Sequence, residues 1–410
     1  MPRTALLSLL RGALLCGALL CLPGQASQLA TIRLDTSQEA PYQLFIDGQL
    51  SGLSITVLDC IFKHLEYPHS IQLTSWKRAK QNVSNQIAEG YFSSAPDVET
   101  DAFARLSAPL LVEKWYWYSS SPQVLNRPPW DPSLRIGAVL GSNTLTWLER
   151  RGIVVQYKVP KLSQLIQLLQ RGRIDLILAD QSVMNSEKGT LALEQRFVRY
   201  TPLGVYFSHA FLNRHPGFIE AFNLHVQDCA PPSTPLTASE QHYLSQLIGV
   251  HLQRWGRQPV LLDALRAAKT QPLSQSEIEQ LDAQWMTEYL RSQQPLIDRI
   301  RQQPASRFLE GIHNQYRPLF NELFLTDSRG VTVGMSPATS DYWQGDEAKF
   351  TSTRQLRAGQ LFIEPIAYDG STRSFQAQIS APLHDPEDGR FLGVMTFGVN
   401  IEAAFGESLP

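Results

Sequence analysis

Four consecutive residues, Gly141-Ser142-Asn143-Thr144, end a short apolar segment (LRIGAVLG) and open a helical one. A turn of this kind presents backbone N–H groups at a helix start, where unpaired donors and the helix dipole favour an anion. A second stretch rich in chemistry, SDYWQGDEAKF, gathers Asp341, Tyr342, Trp343, Asp346 and Lys349 within eleven residues. Such a set can close over a small polar ligand. Equally, its aromatics can staple the loop to a core while its charges pair locally. Cys60 and Cys229 lie beyond the amino-terminal segment. An oxidising compartment would join them in one disulfide, and otherwise they are buried thiols.

Metal-protease, serine-hydrolase, phosphate-loop and Cys-x-x-Cys patterns do not occur, and the nine histidines are scattered. We therefore expect no enzyme, no cofactor and no metal. The chain is 43% hydrophobic and 18% charged with a net charge of −2, which implies neither nucleic acid nor an anionic membrane as partner. Its start, MPRTALLSLLRGALLCGALLCLPGQAS, sets Arg3 and Arg11 before an apolar run and a small-residue site at Gly24-Gln25-Ala26. That layout predicts a cleaved secretory signal over 1–26, hence a periplasmic protein without membrane insertion after cleavage. Beyond it no run approaches the roughly 20 apolar residues that span a bilayer.

The elements that must position these residues alternate over 27–232. Strand-like LATIRL and HSIQLTSW and the apolar LRIGAVLG and RIDLILADQ are interleaved with helical GLSITVLDCIFKHLE, KRAKQNVSNQIAEG, SNTLTWLERRG and LSQLIQLLQRG. This order predicts α/β layers on largely parallel sheets. A proline-rich stretch, APPSTP, follows, and 233–273 reads as a helical linker. Capping boxes at Thr237-x-x-Glu240 and Ser274-x-x-Glu277 open helices. From 274 to 410 a helical run precedes a five-stranded antiparallel meander, with turns at Asp327–Gly330, Asp369-Gly370 and Asp388-Gly389.

Order and detail over 27–232 resemble the family 3 extracellular solute-binding proteins, the amino-acid-binding type. The resemblance rests on APYQLFIDGQLSGLSITVLDCIF, SWKRA, EGYFSSAP…ARLSAPL, RIGAVLGSNTLTWL and GRIDLILAD. It implies two α/β lobes, about 27–118 with 203–232 and about 123–200, joined by two crossing strands around a ligand cleft. It places Tyr42, Trp76 and Tyr91 on the cleft walls and the 142–144 turn on a ligand anion. It sets Asp180 against a ligand amino group, or else at the start of a helix as its cap. The arginine with which the family clamps the ligand carboxylate would fall at Thr100, so it is absent. Arg105, on the strand face of Ser107, is the nearby substitute.

The segment 274–410 resembles the Cache, or PDC, extracytoplasmic sensor domain, a PAS-like α+β fold, through LTDSRG, SDYWQGDEAKF, AYDGST and APLHDPEDGRFLGVMTFGVNIE. It implies a pocket under a loop, lined by Asp341, Tyr342, Trp343, Asp346 and Lys349 with Tyr368, Asp369 and Gln378 from the strands. Together the resemblances imply a periplasmic small-molecule-binding protein that acts as a sensor or adaptor. Its partner would be a membrane receptor, kinase or cyclic-nucleotide enzyme. The alternatives are the binding component of an ABC importer, partnered by its permease, and an enzyme on the same fold.

Overall fold

The strand Leu176–Asp180 (LILAD) is buried along its whole length, as expected of a strand covered on both faces. It is one of nine strands in a continuous sheet, described by a computed structural model covering residues 31–229, 234–289, 291–370 and 372–406. The expected signal segment and most of the proline-rich stretch lie outside these residues.

In the first lobe, Ile32–Thr36 lies between His69–Leu73 and Gly90–Ser94, parallel to both. In the second, Ile136–Val139 is parallel to Leu176–Asp180 and Tyr157–Val159. Two long strands join the lobes. Leu111–Ser119 and Glu194–Ser208 pair antiparallel from Leu111/Leu203 to Ser119/Glu194. The latter then shifts register at Gly204/Val205 and continues beside Gly90–Ser94 in the first lobe. The two-lobed α/β reading with crossing strands thus describes the architecture. Cys60, on the first-lobe helix Leu53–Leu65, is bonded to Cys229, with their Cα atoms 5.7 Å apart.

The carboxy-terminal part is α+β, with an antiparallel sheet ordered Thr332–Ser336, Phe320–Asp327, Phe391–Asn400, Ser374–His384 and Phe362–Ile363. A sixth strand, Ala367–Asp369, pairs beside the last on Ser374–His384. The expected meander had five strands; the segment read as one strand is split at Pro365. Proline cannot donate to a ladder, and the next N–H, that of Ile366, goes instead to the carbonyl of Thr234 at 2.9 Å.

The helices read as a linker are core. Leu244, Ile248 and Trp255 of Ala238–Trp255 and Leu261 and Leu265 of Pro259–Thr270 pack with Leu323, Leu325, Met395 and Phe397 of the sheet. The sequence shows their stripes, but not that the facing surface is this sheet. The described residues from 31 to 406 form one compact unit.

Candidate functional site

The crossing strands define a cleft, and the sequence-predicted residues meet there unevenly. Ser142 caps the helix Asn143–Arg150 by accepting the N–H of Leu145 at 3.2 Å. Asn143, next to it, crosses between lobes. Its Nδ2 donates to Ser93 O at 2.9 Å and its Oδ1 accepts from Ala95 N at 3.1 Å. Tyr42 is buried, and its hydroxyl donates to Asp180 Oδ1 at 3.0 Å. Asp180 also accepts from Val183 N at 3.0 Å, capping the helix Gln181–Glu187, and from Lys114 N at 2.9 Å. The cap reading is present in the structure, and the same carboxyl also lines the cleft. Ser186 Oγ donates to Ala40 O at 3.0 Å, and Arg150 pairs with Asp97. The lobes are therefore bridged by the protein's own polar groups.

Two cavities flank these bridges. The inner one, about 30 Å³, is lined by Glu39, Trp76, Glu113, Ser142, Asn143, Thr144 and Asp180. It admits about one water-sized group. Three carboxyl groups face it, and none is in its ordinary range. Burial, then the nearby charges of Asp180 and Glu187, lifts Glu39 to about 8. Burial raises Asp180 to about 6 despite the N–H groups and Tyr42 hydroxyl that favour its ionised form. Glu113 is driven well up by burial and then by Asp180 and Glu39, although Trp115 Nε1 donates to it at 2.6 Å. Burial thus favours the protonated form of all three.

The outer cavity measures about 420 Å³, a volume suited to one small organic molecule. Trp76, Tyr91, Trp115 and Trp147 form its apolar walls, and Lys80, Arg150, Arg151 and Arg199 its cationic ones, with Asp97, Thr201 and Glu402. Trp76, first residue of the helix Trp76–Ser84, lines both cavities. Tyr91 stacks on Tyr206 with ring centres 5.6 Å apart. Thr100, where the family's arginine would fall, is buried and donates to Asp97. Arg105 lines neither cavity; it is exposed and paired with Glu220 at 3.1 Å. It does not replace the clamp, because strand Ala104–Leu106 directs it to the outer surface.

The back of the crossing strands is covered by the carboxy-terminal part. Alternation along Leu111–Ser119 sends Glu113 into the inner cavity and Lys114 the opposite way. There Lys114 Nζ lies 3.1 Å from Glu240 in a buried ion pair, and the Tyr200 hydroxyl donates to Glu240 at 2.7 Å. Burial opposes ionisation of Glu240, but the Thr237 N–H, Tyr200 and Lys114 together hold its carboxyl below the ordinary range. Arg199, on the cleft face, pairs with Glu402 of the terminal helix Ile401–Phe405. Phe405 of that helix packs on Phe197 and Tyr200.

The second expected site lies under the 337–350 loop. Tyr342 and Trp343 both direct their backbone N–H to Asp282 Oδ1 at 2.9 Å, and Tyr342 packs on Trp285 with centres 5.5 Å apart. Trp343 Nε1 donates to Arg329 O at 2.9 Å. Gly330 has a φ of 86° and approaches Gly345 so closely that a Cβ would lie 2.3 Å from its Cα, so glycine is required. Asp341 accepts from Gln344 and is raised to about 6, chiefly by burial. Lys349 is buried beside Glu347 at 2.8 Å. Asp346 is exposed, because the turn that buries Gln344 and Lys349 sends it outward. Gln378 and Gln376 each donate to Glu322 Oε1 at 2.7 Å. Glu322 is buried and raised to about 7, mainly by desolvation. Tyr368 packs on Phe375 at 5.6 Å and on both the lobe and sheet cores, while Asp369 accepts from the Thr372 N–H at 3.1 Å.

Sequence reasoning missed Glu39, Glu113, Lys114, Arg199, Glu240 and Glu322. A signal existed for the central pair: Glu113-Lys114 interrupts LVEKWYWYS, an otherwise nearly apolar strand. Two adjacent charges there must find buried partners on opposite faces.

No family model matches the chain, and no curated protein does. Among solved structures it is similar to an ancestral amino-acid-binding protein described as a precursor of cyclohexadienyl dehydratase. That match has 14% identity and a TM-score of 0.42, covering 48% of this chain and 90% of that one. It is similar at 15% identity and TM-score 0.42 to a histidine-bound ABC uptake transporter substrate-binding protein from Streptococcus pneumoniae, covering 48% of this chain and 87% of that one. A histidine kinase sensor domain with similarity to periplasmic binding proteins matches at 13% identity and TM-score 0.39, covering 50% of this chain and 99% of that one. Likeness of this degree leaves function to the geometry of the chain itself.

Proposed function

We propose that this chain is an extracytoplasmic small-molecule-binding protein that acts as a sensor or adaptor for a membrane partner. One observation carries the reading: the strand that walls the ligand cleft with Glu113 and Trp115 is tied through Lys114 to Glu240 of the carboxy-terminal module. The Lys114 N–H meanwhile holds Asp180 on the second lobe. A ligand that changes how the lobes meet must shift this strand, and the buried ion pair passes the shift on. A module clamped to the crossing strands is suited to report the state of the lobes.

Several features support the rest of the reading. The disulfide suits an oxidising compartment such as the periplasm. Among the described residues no helix is long and apolar enough to cross a membrane. The antiparallel sheet with its loop-covered polar face around Glu322 is compatible with a Cache-like sensor module. A receptor, kinase or cyclic-nucleotide enzyme would be its partner, with an ABC permease as the alternative.

The test is a thermal-shift screen of the mature protein against a metabolite panel, followed by titration of any hit. We expect a melting point that rises with ligand concentration, with the rise lost in Asn143→Ala and Trp76→Ala variants that still fold. A hit whose effect survives both substitutions would place binding elsewhere. No hit across the panel would sink the reading.

A further inference from the structure

The outer cavity specifies more than a generic ligand. Resting on the reading that the cleft holds a small molecule, we infer that this molecule is an organic anion built on a flat apolar ring, and that Glu402 is its resident competitor.

Charge makes the first part of the case. Four cations and two carboxylates line the cavity. Lys80 lies 2.5 Å from Asp97, which Arg150 also contacts, and Arg199 holds Glu402. Arg151 has no carboxylate partner among the described residues. Its guanidinium lies 4.5 Å from the centre of the Trp147 ring. A guanidinium stacked in this way keeps its N–H edge free for an in-plane acceptor, the geometry that suits a carboxylate. Arg151 and Arg199 line the same cavity, and burial, then the nearby Arg151 charge, disfavours the charge on Arg199, so an anion there offsets repulsion while a cation adds to it.

Shape and unmet polarity make the second. Trp115 and Trp147 stand edge to face with centres 6.0 Å apart, and Trp76 and Tyr91 complete an aromatic enclosure. Flat ligands gain most from such walls. Thr201, 2% exposed, carries a hydroxyl without a partner, and Trp147 Nε1 is buried without one. Unmet buried donors are costly, and ligand oxygens would satisfy them.

Glu402 gives the cavity its consequence. It stands in the first turn of Ile401–Phe405, the helix capped by Asn400 at the end of the last sheet strand. A ligand carboxylate reaching Arg199 competes with Glu402 for the same guanidinium. Binding thereby releases the head of a helix that belongs to the carboxy-terminal module.

The experiment is isothermal titration of the full mature chain with benzoate, 1-naphthoate, phthalate, benzamide, benzylamine and sulfate. At least one aromatic carboxylate should saturate, and sulfate and benzylamine should not. Arg151→Gln and Arg199→Gln should each weaken that carboxylate by about tenfold or more. Glu402→Gln should tighten it, because the competitor loses its charge. Arg151 is exposed, so its variant stays informative if Arg199→Gln fails to fold. Binding by benzylamine or benzamide with the carboxylates inert would overturn the anion inference yet keep the small-molecule reading. Carboxylate binding indifferent to Arg151→Gln and Glu402→Gln would also overturn it. If nothing in the panel binds at any charge, this inference falls, while the broader reading is decided by the metabolite screen.

Discussion

The hydroxyl of Tyr42, on the first lobe, donates to Asp180 Oδ1, on the second, at 3.0 Å, and both residues are buried. One hydrogen bond thus joins the lobes at the base of the cleft. Tyr42→Phe removes the donor and keeps the ring, leaving Asp180 with the Val183 and Lys114 N–H groups. We expect a loss of about 1–3 kcal/mol in chemical denaturation and a larger radius of gyration in solution scattering. An unchanged stability would show that the contact contributes nothing.

Stability should fall as the solution becomes alkaline. Glu39 at about 8, Asp180 at about 6, Glu322 at about 7 and the raised Glu113 all bind their protons more tightly folded than unfolded. The stability linked to these protons is complete below the unfolded values near 4.3 and is lost as pH climbs through the folded ones. Asp97 and Glu240 are held below their ordinary range. Their contribution has the opposite sign and is lost as pH falls below about 4. A maximum a little above pH 4 follows from the two limbs. Glu113→Gln should flatten the alkaline limb in a series of melting curves, and an unaltered slope would remove Glu113 from the account.

The disulfide is a third handle. Cys60 and Cys229 are 169 residues apart. By chain entropy, closing a loop of that length is worth up to about 5 kcal/mol. Cys60→Ser should lose a large part of this, and denatured, unreduced protein should react with no thiol reagent. Two titratable thiols in protein from an oxidising compartment would contradict the bond.

How much of this could be read beforehand depended on the length of the signal. The lobes followed from alternating apolar runs such as LILAD and LSQLIQLLQ, because a strand buried on both faces and a striped helix each leave a pattern in sequence. The capping boxes at Thr237 and Ser274 were local, and local chemistry is legible. Arg105 was not, because whether a strand side chain faces the cleft or the solvent depends on which neighbour covers it. The same reason hid Lys114 and Glu240, which lie 126 residues apart. The helices of 238–270 looked like a linker because a stripe does not name the surface it will meet. Glu322 was invisible for want of any clue to Gln376 and Gln378 across the sheet.

The Lys114–Glu240 pair should behave as buried ion pairs do. Removing one partner leaves an uncompensated charge, so Lys114→Met should cost about 3–5 kcal/mol. Lys114→Met combined with Glu240→Leu should recover most of that loss, since an apolar pair of similar size fits the seam. Additive losses in the double-mutant cycle would mean that the two residues are not coupled.

The central claim is that the cleft and the carboxy-terminal module share their state through the crossing strands. Hydrogen–deuterium exchange of the full mature chain, with and without a saturating ligand from the screen, tests it most directly. The account predicts altered exchange in Ala238–Trp255 and Ile401–Phe405 as well as in Leu111–Ser119, with the first of these lost in the Lys114→Met/Glu240→Leu protein. Exchange changes confined to the two lobes, with both helices unmoved at saturation, would contradict it.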